Sequence, residues 1–128
     1  DGGQRPDDRT ETLLVRGTCR SGMTVHNNGA VVVMGDVNPG AEISATGDVV
    51  IYGRLCGLAH AGSSGAEDSI VVALSIEEPQ LRIGRHMGTG ALARMARKGV
   101  SGPYIATVQD DNIIIEQYTP KSTWMQER

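Results

Sequence analysis

Residues 29–54 read GAVVVMGDVNPGAEISATGDVVIYGR, and the segment GAVVVMGD at their start returns eighteen positions later as GDVVIYGR. The underlying interval is shorter. Leu13, Cys19, Val25, Val31, Val37, Ile43, Val49, Leu55 and Ala61 stand six apart without a break. Four residues after each comes Gly17, Met23, Gly29, Gly35, Ala41, Gly47, Gly53, Ala59 or Gly65, and only Met23 among these is neither Gly nor Ala. An amphipathic helix places apolar residues three and four apart, so a period of six excludes it. Six suits a short strand and a tight corner, where a small residue relieves crowding. Three such units make one turn, so the eighteen-residue echo is one coil of a triangular parallel β-helix, an all-β solenoid.

Residues 13–66 make about three coils, a prism roughly 14 Å tall at the strand spacing of ~4.8 Å. The run SIVVALSIEEPQLRI (69–83) continues as further strands after a three-residue insertion beyond Ala61, giving three to four coils in all. Tyr104–Val108 and Ile113–Gln117 are expected as a closing hairpin turning at Asp110-Asp111, because exposed coil ends need a cap. The organisation expected is a linker over 1–12, the solenoid over 13–84, a mobile connector with one helical turn over 85–103, closing strands over 104–118 and a tail over 119–128. The polar opening DGGQRPDDRTE reads as a linker to further domains.

Composition fits a narrow interior. The 128 residues include 17 Gly, one Trp and no Phe, so the core is built from small aliphatic side chains. The net charge of −3 does not mark a general nucleic-acid binder. No apolar run approaches the ~20 residues of a membrane helix, and the two cysteines form no CxxC pair. Cys19 is expected inward and Cys56 outward, two coils apart and beyond disulfide reach, so both thiols are expected free.

Eighteen-residue coils also dictate what lies over what. On the first side, Leu14, Val32 and Val50 form one outward column, and Arg16, Met34 and Tyr52 another. A stacked apolar sheet face is expected to cover itself with a second copy, so Leu14, Val32, Met34, Val50 and Tyr52 are the expected homodimer interface. On the second side, Arg20-Ser21-Gly22 lies under Asn38-Pro39-Gly40, which lies under Cys56-Gly57-Leu58. Asp36 sits at the corner leading into this side and is expected to pair with Arg54.

The stretch CRSGM…GDVNPGAEI…GDVVIYGRLCGLAHAGSSG…PQLRIG, from about Thr18 to Ile83, closely resembles the C-terminal domain of the bacterial division-site inhibitor MinC. The specific places are Arg20-Ser21-Gly22, Gly35 to Glu42, and Gly57 to Gly62; YIATVQDDNIIIE is similar, more weakly, to the family's closing strands. The resemblance implies a right-handed β-helix that dimerises through one face and binds the membrane-associated ATPase MinD in its ATP form. The family's Arg-Ser-Gly-Gln motif falls on Arg20, Ser21, Gly22 and Met23, with Met replacing the Gln amide. HMGTGALARMARKG after Ile83 also departs from the family pattern. The resemblance further implies a cytoplasmic, non-enzymatic protein without cofactor or metal, recruited to the inner face of the plasma membrane only through MinD. Antagonism of FtsZ would be direct or through a missing N-terminal domain. Coil arithmetic adds Asp36, Asn38, Pro39 and Gly40 to the expected MinD surface, since they stack beside Arg20; Arg20 and Asp36 are the expected charged contacts.

Two other readings share the period of six. Left-handed β-helix acyltransferases carry a similar hexapeptide signature and use a His base. His26, His60 and His86 have no Asp or Glu at an orienting spacing, and acetyl-CoA binding discriminates the readings. A structural β-helix polymerising end to end, like the bactofilin scaffolds, is the other, and light scattering separates filaments from a discrete dimer. Gly88 to Ala93 matches GxGxxA without the flanking strand–helix context of a dinucleotide site, and the basic ALARMARK reads as a solvated segment.

Overall fold

A computed structural model describes residues 11–89, 94–95 and 102–119. The six-residue spacing becomes a β-solenoid whose coils begin at Val31, Val49 and Val71 above a first coil opening at Leu13. One wall stacks β1 (Leu13–Arg16), β3 (Val31–Met34), β5 (Val49–Leu55) and β7 (Val71–Ile76) as parallel strands. A second stacks β2 (Thr24–Asn27), β4 (Glu42–Ala45), β6 (Leu58–Ala61) and β8 (Gln80–Ile83). The third wall is narrow, with Cys19, Val37 and Leu55 bridged one over the other.

The inward columns are the core. Val31, Val49 and Val71 stack in register, as do Val33, Ile51 and Ala73, and Ile43, Ala59 and Leu81. Nearly all are fully buried, and each Val, Ile or Leu among them contributes roughly 1.5–3 kcal/mol. Leu13 keeps the expected register under Val31 yet is 37% exposed, because no described strand lies beneath β1. At the corner between the first and narrow walls, Gly17, Gly35 and Gly53 stack directly. A Cβ on Gly35 would fall 2.6 Å from the Gly17 carbonyl, so the coils reach strand spacing there only without side chains.

The period does not hold through the third coil. Leu58 pairs with Glu42 and Ala59 with Ile43, so the corner after Leu55 is two residues shorter than its mate below. The next corner compensates: Ala59 to Val71 spans twelve residues where Ile43 to Val49 spans six. The coil starting at Val49 is therefore twenty-two residues long, four above the repeat rather than the three expected. A register shift between Ile51 and Arg54 accompanies the change.

The upper end is closed by the chain itself. β11 (Tyr104–Gln109) adds to β7 antiparallel, and β12 (Asn112–Gln117) pairs back on β11. Asp110 and Asp111 turn the hairpin with φ of 52° and 65°, the two left-handed residues of a type I′ turn. Ala106, Ile113 and Ile115 complete the core beneath this cap. The expected connector begins instead with a strand, β9 (His86–Thr89), antiparallel to β8 across the two-residue turn Gly84-Arg85. β10 (Arg94–Met95) adds to β12. The expected helical turn and most of the basic and GxGxxA segments lie outside the described residues, as do most of the linker and tail.

Candidate functional site

The narrow wall carries the residues singled out on the second side. Arg20-Ser21-Gly22-Met23 closes as a turn, with the Met23 N–H donating to the Arg20 carbonyl at 2.9 Å. Asn38-Pro39-Gly40-Ala41 closes identically at 3.0 Å. Gly22 and Gly40, with φ of +92° and +89°, hold the third position, and Pro39 supplies the φ the second position needs. Both sequences therefore meet the demands of a type II turn. The turns nest: the Gly22 N–H donates to the Gly40 carbonyl at 3.0 Å, and a Cβ on Gly40 would collide with the Ser21 hydroxyl. Two segments eighteen residues apart thus form one ridge, as the coil arithmetic expects.

The third member of that stack does not exist. With two residues missing, Cys56-Gly57 cuts across without a turn, and Gly57 passes so close that a Cβ would lie 2.5 Å from the Asn38 carbonyl oxygen. The Asn38–Gly40 turn consequently overhangs a groove of about 580 Å³, whose polar lining includes Glu42, Arg54, Glu77, Glu78 and Gln80. Sequence reasoning missed this groove. Its one signal is the loss of six-residue spacing between Leu55 and Ala59.

Charges on the wall are arranged differently from expectation. Arg20 is exposed on the lower turn. Asp36 does not ion-pair with Arg54; its Oδ1 accepts the Arg54 backbone N–H at 2.8 Å, because the stacked glycine corner brings main chain, not side chain, within reach. The Arg54 guanidinium turns to Glu77, 3.6 Å away, and both are at least half exposed, so the pair contributes about 0–1 kcal/mol. Met23 lies on the surface with its sulfur 3.2 Å from the Arg20 backbone nitrogen, folded over its own turn where a Gln amide would carry donors and an acceptor.

Both cysteines are free, Cys19 buried and Cys56 half-buried. Burial pushes the Cys19 thiol up. Burial also raises Cys56, reinforced by the Glu77 and Asp36 carboxylates and opposed by the Arg54 guanidinium.

The first wall carries the outward columns as expected. Leu14, Val32 and Val50 pair in register, as do Arg16 and Met34. Leu14, Met34 and Tyr52 are 45%, 44% and 59% exposed, and Leu74 extends the apolar face into the fourth coil.

Of the histidines, His26 shares a hydrogen bond with Ser44 at 3.2 Å and His60 contacts the Gly84 carbonyl at 3.2 Å. His86 does meet a carboxylate: the insertion after Ala61 brings Glu67 within 3.1 Å of its Nε2. Among the described residues no group of three or more His, Cys, Asp or Glu could hold a metal, and no helix is long and apolar enough to cross a membrane.

With this geometry in place, comparisons with known proteins agree. Residues 13–118 match the family of the septum formation inhibitor MinC, C-terminal domain. The chain is 41% identical over 115 residues to a probable septum site-determining protein MinC of Heliobacterium modesticaldum, covering 90% of this chain and 38% of that protein. It is 42% identical over 109 residues to the counterpart in Acetivibrio thermocellus, covering 85% and 48%. The chain thus spans less than half the length of either relative. Among solved structures, a chain of the MinC:MinD cell division protein complex of Aquifex aeolicus superimposes with a TM-score of 0.76 at 28% identity, covering 92% of this chain and 95% of that one. A solenoid with this ridge and this closing hairpin, matched from Leu13 to Tyr118, belongs to the MinC family through its C-terminal domain.

Proposed function

We propose that this chain is a non-enzymatic adaptor that binds ATP-loaded MinD and so brings a division inhibitor from the cytoplasm to the inner face of the plasma membrane. There it opposes septum assembly at wrong sites. The carrying observation is the nested pair of type II turns, which presents Arg20, Ser21, Gly22 and Met23 beside Asn38, Pro39 and Gly40. The match to a chain of a MinC:MinD complex supports the choice of partner. Two glycines keep the ridge low enough for a partner backbone to approach, and Arg20 offers a fork suited to a carboxylate. Asp36, at the entrance to the ridge, belongs to the same surface.

The apolar first wall is the homodimer interface, with Leu14, Val32, Met34, Val50 and Tyr52 at its centre. A dimer presents two MinD sites, and bivalency strengthens attachment to a membrane carrying many MinD molecules. FtsZ is engaged by this part directly or through further parts of the protein. The test is recruitment of the chain to lipid vesicles by MinD. Recruitment is expected with ATP and not with ADP, and Arg20→Ala is expected to abolish it. Equal recruitment of wild type and Arg20→Ala would overturn the reading.

A further inference from the structure

The tripeptide Gly-Asp-Val occurs twice, at residues 35–37 and 47–49, at two different corners of the solenoid. Each occurrence makes the same three-coil fastening. The Asp36 carbonyl accepts the Cys19 N–H from the coil below at 2.8 Å, and its Oδ1 accepts the Arg54 N–H from the coil above at 2.8 Å. The Val37 N–H then donates to the Arg54 carbonyl at 2.8 Å. At the other corner, the Asp48 carbonyl accepts Val31 N–H, its Oδ1 accepts Ile70 N–H, and Val49 N–H donates to the Ile70 carbonyl, each at 3.0 Å. At both corners the aspartate side chain supplies an acceptor to a backbone N–H of the coil above.

We infer that Asp36 is a positioning residue, a clasp that sets the height of the Asn38–Gly40 turn, and that it does not act as a charged contact to the partner. This rests on the docking reading above. Asp48 makes the same bonds at a corner remote from the ridge, so the fold alone accounts for the pattern. The Asp36 carboxylate is packed against the coil above: a Cβ on Gly53 would lie 2.7 Å from its Oδ1. The clasp also stands where it is needed. The overhanging turn has no mate in the third coil, and the hydrogen bonds that tie its two flanks to that coil are those of Arg54 and Cys56 before the turn and of Leu58 after it. Freeing Asp36 loosens the first of these attachments and lets the turn tilt over its groove. A partner then meets a smaller competent fraction and binds more weakly.

The experiment compares Asp36→Ala, Asp36→Asn, Asp48→Ala and Arg20→Ala in the full 128-residue chain. It titrates ATP-dependent recruitment to MinD-coated vesicles and follows amide hydrogen exchange at Arg54 and Ile70. Asp36→Ala is expected to speed exchange at Arg54 and weaken recruitment about tenfold or more, the scale of one lost charge-assisted hydrogen bond. Asparagine keeps the acceptor and removes the charge, so Asp36→Asn is expected to restore both readouts to within about threefold. Asp48→Ala is expected to speed exchange at Ile70 and leave recruitment unchanged. The inference is overturned if Asp36→Asn is recruited as poorly as Arg20→Ala while the Arg54 amide stays protected, because the charge itself then meets the partner. It is also overturned if Asp36→Ala frees the Arg54 amide yet is recruited like wild type. Should Asp36→Ala not fold, Asp36→Asn against Arg20→Ala decides. Normal recruitment of Arg20→Ala would remove the docking reading instead, and the exchange data would still report the clasp.

Discussion

Gly22 and Gly40 occupy equivalent turn positions with nearly the same φ, +92° and +89°, but in different surroundings. A Cβ on Gly22 would meet nothing within 4 Å, whereas one on Gly40 would meet the Ser21 hydroxyl and lie 3.2 Å from the Ser21 Cβ. Gly22→Ala therefore reports backbone strain alone, about 1–2 kcal/mol for a left-handed residue with a side chain. Gly40→Ala adds the steric cost of separating two nested turns, about 1 kcal/mol at the mild end of overpacking. At about 4 °C per kcal/mol for a chain of this size, Gly40→Ala should melt roughly 4 °C below Gly22→Ala, and both should melt below wild type. Ser21→Gly removes the obstructing group, so a cycle with Gly40→Ala should return a favourable coupling of about 1 kcal/mol. The assay is thermal unfolding by circular dichroism at one fixed protein concentration, since association shifts the midpoint. Equal melting of the two alanine variants, or a coupling near zero, would refute the nesting of the turns. The ridge would then not be a single surface.

Leu55→Ala removes the top of the narrow wall's core, where Leu55 is fully buried between Val37 and Ile76. It should cost about 2–5 kcal/mol, read as a lower guanidinium midpoint with unchanged slope. Met34→Lys combined with Tyr52→Lys places charge in the exposed apolar face and should convert a dimer to a monomer in sedimentation velocity without changing the far-ultraviolet spectrum. A wild-type monomer at micromolar concentration would dispose of the dimer. Because burial and the Glu77 carboxylate raise the Cys56 thiol while Arg54 lowers it, thiolate is scarce at neutral pH and alkylation should accelerate toward alkaline pH. Glu77→Gln should speed labelling of Cys56 at pH 8 and Arg54→Ala should slow it; the opposite order would show that Arg54 and Glu77 do not govern this thiol.

The first two coils were legible because their corners are equal in length, so counting by six along the chain is the same as stepping around the prism. From Leu55 onward the two diverge, and the residues hid it. Ile43 and Ala45 are both inward on β4, and Ala59 and Ala61 both inward on β6. Alternate positions of a strand share a face, so Ala61 satisfied the six-residue pattern while Ala59 took the place over Ile43. That ambiguity concealed the shortened corner, and with it the groove. β9 was missed for a different reason. HMGT lacks aliphatic alternation, and only Gly84, at φ 58°, signalled the two-residue hairpin that seats it on β8. The Asp36–Arg54 pairing was half right: the partner was correct but the bonding group was backbone, a distinction that sequence spacing cannot carry.

Two walls of the solenoid are held by ladders, in which each coil adds a strand and every residue of that strand shares the load. The narrow wall is held by single bridged residues, Cys19 to Val37 to Leu55, with turns projecting from it. Its surface is therefore shaped by corner chemistry: two left-handed glycines, a proline, and an aspartate bonded to the coil above. Such features contribute only one or two bonds each to a fold with a continuous aliphatic core, so altering them should shift the ridge more than it weakens the molecule. Core truncation should do the reverse. If recruitment loss is plotted against loss of melting temperature, substitutions at Gly22, Asp36 and Gly40 should fall well off the line defined by Leu55→Ala and other core variants. If all variants share one line, the ridge has no role beyond keeping the chain folded.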